Sequence, residues 1–228
     1  MWIGEVSSLD FFSANRWTVS YFRETKNSAL SVFPLRTLGE VAVERRGSSD
    51  PQLLGDMSIS YLGLENVRSL TGELVDFFKR PAASVKSRSK VFQCDDVLYG
   101  RLRPELNKVF LAQGLVTEGL CSGEFIVLDP RKDLVLPRYL RHILASQFVT
   151  QFATKFTVGA SLPRIATHDL LGIEIPVPPL HIQAQMVRSL LDIDTEIAEL
   201  RAKLAALPKK QAKAILTAVS SGSGVIVI

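Results

Sequence analysis

The sequence predicts an α/β (α+β) fold, in which a globular domain of mixed short strands and helices is followed by a long coiled-coil-forming helix. Between residues 32 and 180, short apolar segments alternate with Gly, Asp and Pro, a pattern typical of short strands and turns. After residue 180, apolar residues recur at alternating spacings of three and four, as in the a/d seam of a coiled coil. Because such a helix is built to lie against another, we expect a partner to complete the function.

Size and composition indicate an ordinary globular protein. The chain has 228 residues, of which 46% are hydrophobic and 22% charged, and no apolar run of about 18 residues could cross a membrane. Residues 1–5 show no secretory signal pattern. Cys94 and Cys121 lack a metal-binding spacing, so we expect buried reduced thiols. These features favour a cytoplasmic protein that has no contact with a membrane.

The interval 32–180 is assigned to the globular domain, with short strands and two helices. The predicted strands are Ser58–Leu62, Val91–Phe92, Asp96–Tyr99, Val109–Ala112 and Glu124–Leu128. One helix is predicted over Pro137–Phe152, with the proline in its first turn. A second covers Thr167–Leu171 and is expected to be capped by Thr167.

The long helix is predicted over residues 181–219, followed by a flexible tail at 220–228. Its seam, the surface through which we expect it to bind a partner helix, consists of Leu190, Ile193, Ile197, Leu200, Leu204 and Leu207. Pro208 lacks a backbone donor, so we expect a kink or break near residues 204–208. Residues 1–31, which contain several aromatic residues without a clear period, are expected to form an N-terminal arm.

No catalytic residue and no metal ligand is predicted. The sequence has no Walker phosphate loop, no GxGxxG and no Asn/Asp-Pro-Pro-aromatic tetrad of the amino-methyltransferases. The histidines, which are His142, His168 and His181, lack the spacing of zinc ligands. Asp95, Asp96 and Glu105 lie near Lys108 in a nuclease-like order. However, Glu105 and Lys108 are three residues apart rather than two, and Pro104 interrupts the pattern.

Basic residues are concentrated between residues 79 and 108. This interval contains eight basic and three acidic residues, a local net charge of +5. The whole chain has a net charge of +4 and a pI of about 9.1. The basic residues are Lys79, Arg80, Lys86, Arg88, Lys90, Arg101, Arg103 and Lys108. This concentration favours a surface that faces DNA phosphates, above all over residues 79–90. The alternative is a solvated loop with long basic side chains.

Arg101 and Arg103 are candidates for reading base edges, because arginine can bind guanine with two hydrogen bonds. If the strand beginning at Asp96 continues through Arg103, both side chains point to one face. The alternative is that they pair with Asp95, Asp96 or Glu105.

A second candidate loop covers Gly159–Ile165 and contains Arg164, which we include among the DNA-binding candidates. For this loop the structural alternative is favoured. In it, Leu162 and Ile165 seat the loop in the core, while Arg164 caps a helix or pairs with Asp169.

Several stretches together resemble the specificity (S) subunits of type I restriction-modification systems. They are Asp96-Val97-Leu98-Tyr99-Gly100-Arg101-Leu102-Arg103-Pro104 with Asn107-Lys108, Gly119-Leu120-Cys121-Ser122 leading into Glu124–Leu128, Gly159–Ile165 with Asp169-Leu170, and Ile175-Pro176-Val177-Pro178-Pro179-Leu180 with Gln183 or Gln185. In order and spacing the resemblance covers roughly residues 32–219.

The resemblance implies that residues 32–180 form a target recognition domain and residues 181–219 a conserved spacer helix. S subunits of this family usually carry two such units, whose helices pack antiparallel and set the distance between the halves of a bipartite DNA site. They perform no chemistry and carry no cofactor. They place methyltransferase (M) subunits, which bind S-adenosylmethionine, and restriction (R) subunits on double-stranded DNA.

This sequence resembles only one such unit, so it is similar to a half-size S subunit. It could form a homodimer through the seam, pair with another half-subunit, or be a truncated or recombination-cassette product. The strict apolar stripe favours self-association, and a two-fold dimer would read identical half-sites in inverted orientation.

Three other functions are compatible with the sequence. The chain could be a decoy or recombination-cassette protein that binds the methyltransferase without reading DNA. It could be the recognition half of a fused restriction enzyme. It could also bind DNA without sequence preference, in which case binding would be salt-sensitive and equal among sequences.

Overall fold

The computed structural model of the chain describes residues 32–159 and 161–221. The described chain divides into a first unit that ends at Ala184 and a second unit that begins at Gln185. The arm predicted at residues 1–31 and positions 222–228 of the predicted tail lie outside the described residues. None of the helices in the described part combines the length and apolar character needed to cross a bilayer.

Short strands are the most frequent regular elements in the described part of the first unit. In chain order they are β1 (Leu35–Thr37), β2 (Ala42–Glu44), β3 (Ser48–Ser49), β4 (Ser58–Ile59), β5 (Tyr61–Leu62), β6 (Arg80–Pro81), β7 (Ser89–Phe92), β8 (Val97–Gly100), β9 (Val109–Leu111), β10 (Gly119–Cys121), β11 (Phe125–Pro130), β12 (Thr157–Val158), β13 (Arg164–Ile165) and β14 (Glu174–Pro176). The five predicted strand segments are confirmed, except that the first is interrupted at Ser60.

Two four-stranded sheets carry the core. One has the order β2-β11-β8-β9 and is antiparallel throughout. The other has the order β3-β7-β10-β5, in which only the β10–β5 pair is parallel. Gly119 begins β10 where a Cβ would collide with the carbonyl oxygen of Ser60, so the close approach of these strands requires a glycine.

Both sheets contribute to one hydrophobic cluster. Phe92 and Cys121 of the second sheet pack with Leu98, Phe125 and Val127 of the first, and all five are inaccessible to solvent. Burial raises the pKa of the Cys121 thiol to about 12, which keeps it protonated. The prediction of a buried thiol is confirmed for this residue. It is wrong for Cys94, which lies exposed in the turn before β8.

Three two-stranded pairs complete the strand pairing: β1–β14, β4–β6 and β12–β13. The β1–β14 pair joins the two ends of the described first unit, with Leu35 opposite Pro176. Val177 extends this pairing by donating its backbone N–H to the Pro34 carbonyl at 2.9 Å. The proline-rich segment therefore lies beside the start of the domain.

The α-helices that lie wholly within the described part of the first unit are α1 (Leu38–Val41), α2 (Pro137–Leu144), α3 (Gln147–Lys155) and α4 (Thr167–Leu171). The single helix predicted over Pro137–Phe152 is wrong, because Ser146 starts a new helix by accepting the Val149 N–H at 3.3 Å. The bounds of α4 are confirmed. Its predicted cap is wrong, since Ala166 is the N-cap and Thr167 is the first helical residue.

The last helix, α5 (Leu180–Ser221), begins in the first unit and forms the described part of the second. Its first turn holds Gln183, which is fully buried and donates to the carbonyls of Leu134 and Pro178 at 2.9 and 2.7 Å. A kink or break was expected near residues 204–208. The break is wrong, because the helix continues through Pro208, whereas the kink stays a prediction. The helix ends at Ser221, two residues beyond the predicted boundary.

Candidate nucleic-acid interface

The basic segment begins with exposed cations that form no ion pair among the described residues. Lys79 and Lys86 are exposed, and neither forms a side-chain hydrogen bond within that part of the chain. Arg88 is also exposed and donates from Nε to the Ser48 hydroxyl at 3.1 Å. Within the described part of the chain no carboxylate neutralises these cations, so their charge is available to an anion outside the chain.

Arg80 has a different environment from its neighbours. It lies on β6, is half-buried, and places its guanidinium carbon 5.2 Å from the ring centre of Tyr61 and 5.5 Å from that of Phe78. Tyr61 belongs to a small cluster with Val85 and Leu120, whereas Phe78 is 63% exposed. An aromatic environment of this kind restricts the orientation of an arginine side chain.

Two of the predicted DNA-binding lysines already have partners within the chain. Lys90 lies 3.3 Å from the carboxylate of Glu44, which also accepts the Thr167 hydroxyl at 3.3 Å. Lys108 donates its ammonium group to the carbonyl of Leu64 at 2.7 Å. Their DNA contacts stay a prediction, since each ammonium group would have to share or exchange its present partner.

The segment at residues 101–103 and the loop at 159–165 lie side by side. The Arg101 carbonyl accepts the Ile165 N–H at 3.1 Å, and the Arg103 N–H donates to the Pro163 carbonyl at 2.8 Å. The Arg103 side chain reaches the Ser161 carbonyl at 3.4 Å. The structure thus brings together two segments that are about 60 residues apart in the sequence and that were predicted separately as candidates.

The strand does not continue through Arg103, so the condition under which both arginines would point to one face is not met. Strand β8 ends at Gly100, and Arg103 has a positive φ of 50°. The two arginines are therefore not successive residues on one strand face. Arg101 keeps its Nε buried without a hydrogen-bond partner and lies close enough to Glu124 to lower the pKa of that carboxyl.

Arg164 forms a paired interaction with Glu124 rather than with Asp169. Its Nε and Nη2 donate to the two carboxylate oxygens, with distances between 2.7 and 3.1 Å. These bonds are the main reason that the pKa of Glu124 lies below its ordinary value, and the carboxylate raises the pKa of Arg164 in turn. The predicted pairing with Asp169 is wrong. The arginine instead fixes the 159–165 loop to the turn before β11.

Asp95 and Asp96, two of the three acids of the basic segment, have partners other than Arg101 and Arg103. Asp96 is buried and accepts both Nε and Nη2 of Arg45, at 2.6 and 3.0 Å. Asp95 pairs with Lys132 at 2.5 Å, and hydrogen bonds from Gln113 and Lys132 lower its pKa. The predicted pairing of these two aspartates with Arg101 or Arg103 is therefore wrong, so these acids do not neutralise the two arginines directly.

Helix α5 carries its predicted seam partly open to solvent. Within the second unit, the exposed fractions are 51% for Ile193, 56% for Leu200, 67% for Leu204 and 49% for Leu207. Leu190 and Ile197 are half-buried. Such a row of exposed large aliphatic side chains on a helix is typical of a surface that binds another helix.

The chain matches a known protein family. The model of the type I restriction modification DNA specificity domain matches residues 86–209, more than half of the chain. The chain belongs to that family. The match includes the candidate arginines from Arg88 to Arg164 and the whole predicted seam of this specificity domain.

Known relatives share the fold of the specificity domain. The specificity subunit of the type I restriction enzyme EcoDI from Escherichia coli is 27% identical over 128 residues, covering 56% of this chain and 28% of that protein. The HsdS subunit from Thermoanaerobacter tengcongensis has 24% identity and a TM-score of 0.66, covering 86% of this chain and 51% of that one. The predicted α/β architecture with a long C-terminal helix is thereby confirmed.

A second solved chain comes from work on complex assembly and conformational transition of the type I R-M system. It is 25% identical, has a TM-score of 0.66, and covers 86% of this chain and 51% of that one. This chain therefore spans about half the length of the solved chains that it matches.

Sequence reasoning missed the residues that hold the specificity domain's loops in place. Glu124 and Arg45 were not singled out, although they bind Arg164 and Asp96. Their partners lie 40 and 51 residues away in the sequence, so no local spacing signals the pairs. Among the described residues, no group of three or more His, Cys, Asp or Glu side chains could hold a metal ion.

Proposed function

We propose that this chain is a DNA sequence-specificity subunit of a type I restriction-modification system. In this proposal, residues 32–180 recognise one half of a bipartite site on double-stranded DNA, and residues 181–219 join a second S unit and dock the methyltransferase. The observation that carries the proposal is the match to a DNA specificity domain, together with exposed cations that form no ion pair among the described residues. We assign phosphate contacts to Lys79, Lys86 and Arg88.

The adjoining 101–103 segment and 159–165 loop supply a further contact surface in this proposal. Arg101 and Arg103 approach base edges, while Arg164 keeps its bond to Glu124 and supports the loop from behind. A carboxylate-bound arginine has few donors left for DNA, whereas Arg101 forms no ion pair among the described residues. Sequence-dependent DNA shape adds to the specificity.

The seam of α5 supports association of two S units, because burial of its exposed leucine and isoleucine side chains under a second helix is favourable. We propose a homodimer in which the same surface of each copy forms the contact. The chain performs no chemistry in this proposal. The methyltransferase subunit binds S-adenosylmethionine, and a restriction subunit can join the complex on the same DNA.

A methylome tests the proposal. The chain is expressed with the methyltransferase encoded beside it, and the methyltransferase is expressed alone, in a host without DNA methylation. We expect a bipartite methylated motif with inverted identical halves only when this chain is present. Co-purification without a motif would instead support the decoy function, and a motif with unrelated halves would contradict the homodimer.

A further inference from the structure

We propose that Arg80 is a specificity-determining residue that reads a guanine edge in the major groove, with Phe78 orienting it. This inference rests on the proposed function, since it requires the chain to bind a defined DNA sequence. It differs from the sequence-based expectation, which assigned residues 79–90 to phosphates and base readout to Arg101 and Arg103.

The backbone of Arg80 is held on both sides. In the β4–β6 ribbon, Arg80 lies opposite Ile59. Directly after the ribbon, Ala82 and Ala83 donate their backbone N–H groups to the carbonyls of Met57 and Gly55, each at 2.8 Å. A side chain on a paired strand is positioned more precisely than one on a free loop.

The side chain of Arg80 is held by two aromatic rings of different exposure. Its guanidinium lies over the ring of Tyr61, which is 9% exposed, and over the ring of Phe78, which is 63% exposed. The inner ring is fixed by the core, and the outer ring faces solvent. Contact with two rings restricts the guanidinium before a ligand arrives, so binding a ligand costs less side-chain entropy.

The terminal nitrogens of Arg80 remain available to a ligand. Its Nε is buried and has no hydrogen-bond partner, and the side chain forms no ion pair among the described residues. Of the three guanidinium nitrogens, only Nε is buried without a partner. Nη1 and Nη2 form no hydrogen bond with the described residues. Two adjacent N–H groups on one plane match the O6 and N7 acceptors of guanine.

A base edge explains this arrangement better than a phosphate does. Lys79 and Lys86, both exposed, already supply mobile point charges for phosphates. Phe78 adds an exposed apolar ring beside the guanidinium, which suits contact with a base or a thymine methyl group rather than a phosphate oxygen.

The test compares methylomes of variants in the methyltransferase complex. Arg80→Lys keeps the charge but removes the planar pair of donors. We expect a guanine position of the motif to become degenerate, with about ten- to a hundredfold weaker discrimination there and the other positions unchanged. Phe78→Leu should relax the same position to a smaller extent. Lys86→Gln, the matched control, should lower methylation at all sites and leave the motif unchanged.

Binding to synthetic duplexes separates a base contact from a phosphate contact. Replacing that guanine by 7-deazaguanine, which lacks the N7 acceptor, should weaken binding of the wild-type complex more than binding of the Arg80→Lys complex. If Arg80→Lys fails to fold, as judged by thermal unfolding, Phe78→Leu is measured against the same duplexes.

Three results would overturn the inference while leaving the proposed function intact. They are a motif without guanine, an unchanged motif in both variants, and a uniform loss at all sites in Arg80→Lys. Absence of any motif in the wild-type complex would instead refute the proposed function, and the inference with it.

Discussion

Asp96 is the buried carboxylate on which the turn before β8 depends. It accepts two hydrogen bonds from Arg45 and one from the backbone N–H of Gln93, and its side chain is 1% exposed. We expect Asp96→Asn to lower the free energy of unfolding by about 3 kcal/mol, because the amide leaves the Arg45 guanidinium without its main counter-charge. Urea denaturation of the purified chain measures this loss.

Asp129 provides the matched control, because it binds the same guanidinium at 2.8 Å but has a side chain that is 49% exposed. We expect Asp129→Asn to cost about 1 kcal/mol or less, since solvent screens an exposed pair. Equal losses for the two variants would show that burial does not distinguish these carboxylates.

The Glu124–Arg164 pair makes stability depend on pH. Because hydrogen bonds from Arg164 lower the pKa of Glu124 from its ordinary value of 4.5, the folded state binds this proton less readily than the unfolded state. The stabilisation is therefore complete above that ordinary value and disappears as pH falls through the lower folded value. We expect Glu124→Gln to cost about 1 kcal/mol at pH 7 and progressively less as the pH falls below 4.5, as measured by thermal unfolding.

Glu118 is the control for this pH profile, as an exposed acid without a hydrogen bond or ion pair in the described part of the chain. Glu118→Gln should unfold with the same free energy as the wild-type chain at every pH. A pH-independent loss in Glu124→Gln would mean that shape or packing, rather than charge, accounts for its effect.

At the scale of secondary-structure elements, the sequence predicts what is local and misses what is distant. The strand over residues 97–100 and the helix over Thr167–Leu171 follow from their own residues. The β1–β14 pair joins segments about 140 residues apart, and nothing in either segment specifies the other. The break between α2 and α3 escaped prediction because Ser146 lies inside a continuous helical apolar pattern.

In the proposed homodimer, self-association depends on the seam of α5. We expect Leu204→Asp to shift the purified chain from dimer to monomer, because a carboxylate in a dry a/d interface loses its hydration without gaining a partner. Light scattering after size-exclusion chromatography measures the change in mass.

Ala202→Asp is the matched control, because residue 202 lies on the opposite side of the heptad from the seam and is exposed. It should remain dimeric. Dissociation of both variants, or of neither, would contradict an interface formed by this seam.

For the whole molecule, the exposed cations predict how salt affects DNA binding. Each phosphate contact releases a condensed counterion, so log K falls with log salt concentration with a slope of about −0.9 per contact. We expect Lys79→Gln and Lys86→Gln each to reduce that slope by about one while leaving sequence preference unchanged. Fluorescence anisotropy over a series of salt concentrations measures it. An unchanged slope would show that these lysines face away from DNA.

Association of two specificity domains should also determine how strongly a complete site is bound. When both domains of a dimer engage inverted half-sites on one duplex, the second binding event is intramolecular, and affinity for the full site should exceed that for a single half-site by about a hundredfold or more. Leu204→Asp should abolish this gain and leave half-site affinity unchanged, because the substitution lies outside residues 32–180. If the variant lost half-site binding as well, the helix would contribute to DNA recognition itself. If it kept the gain, the two domains would be joined by a surface other than the seam.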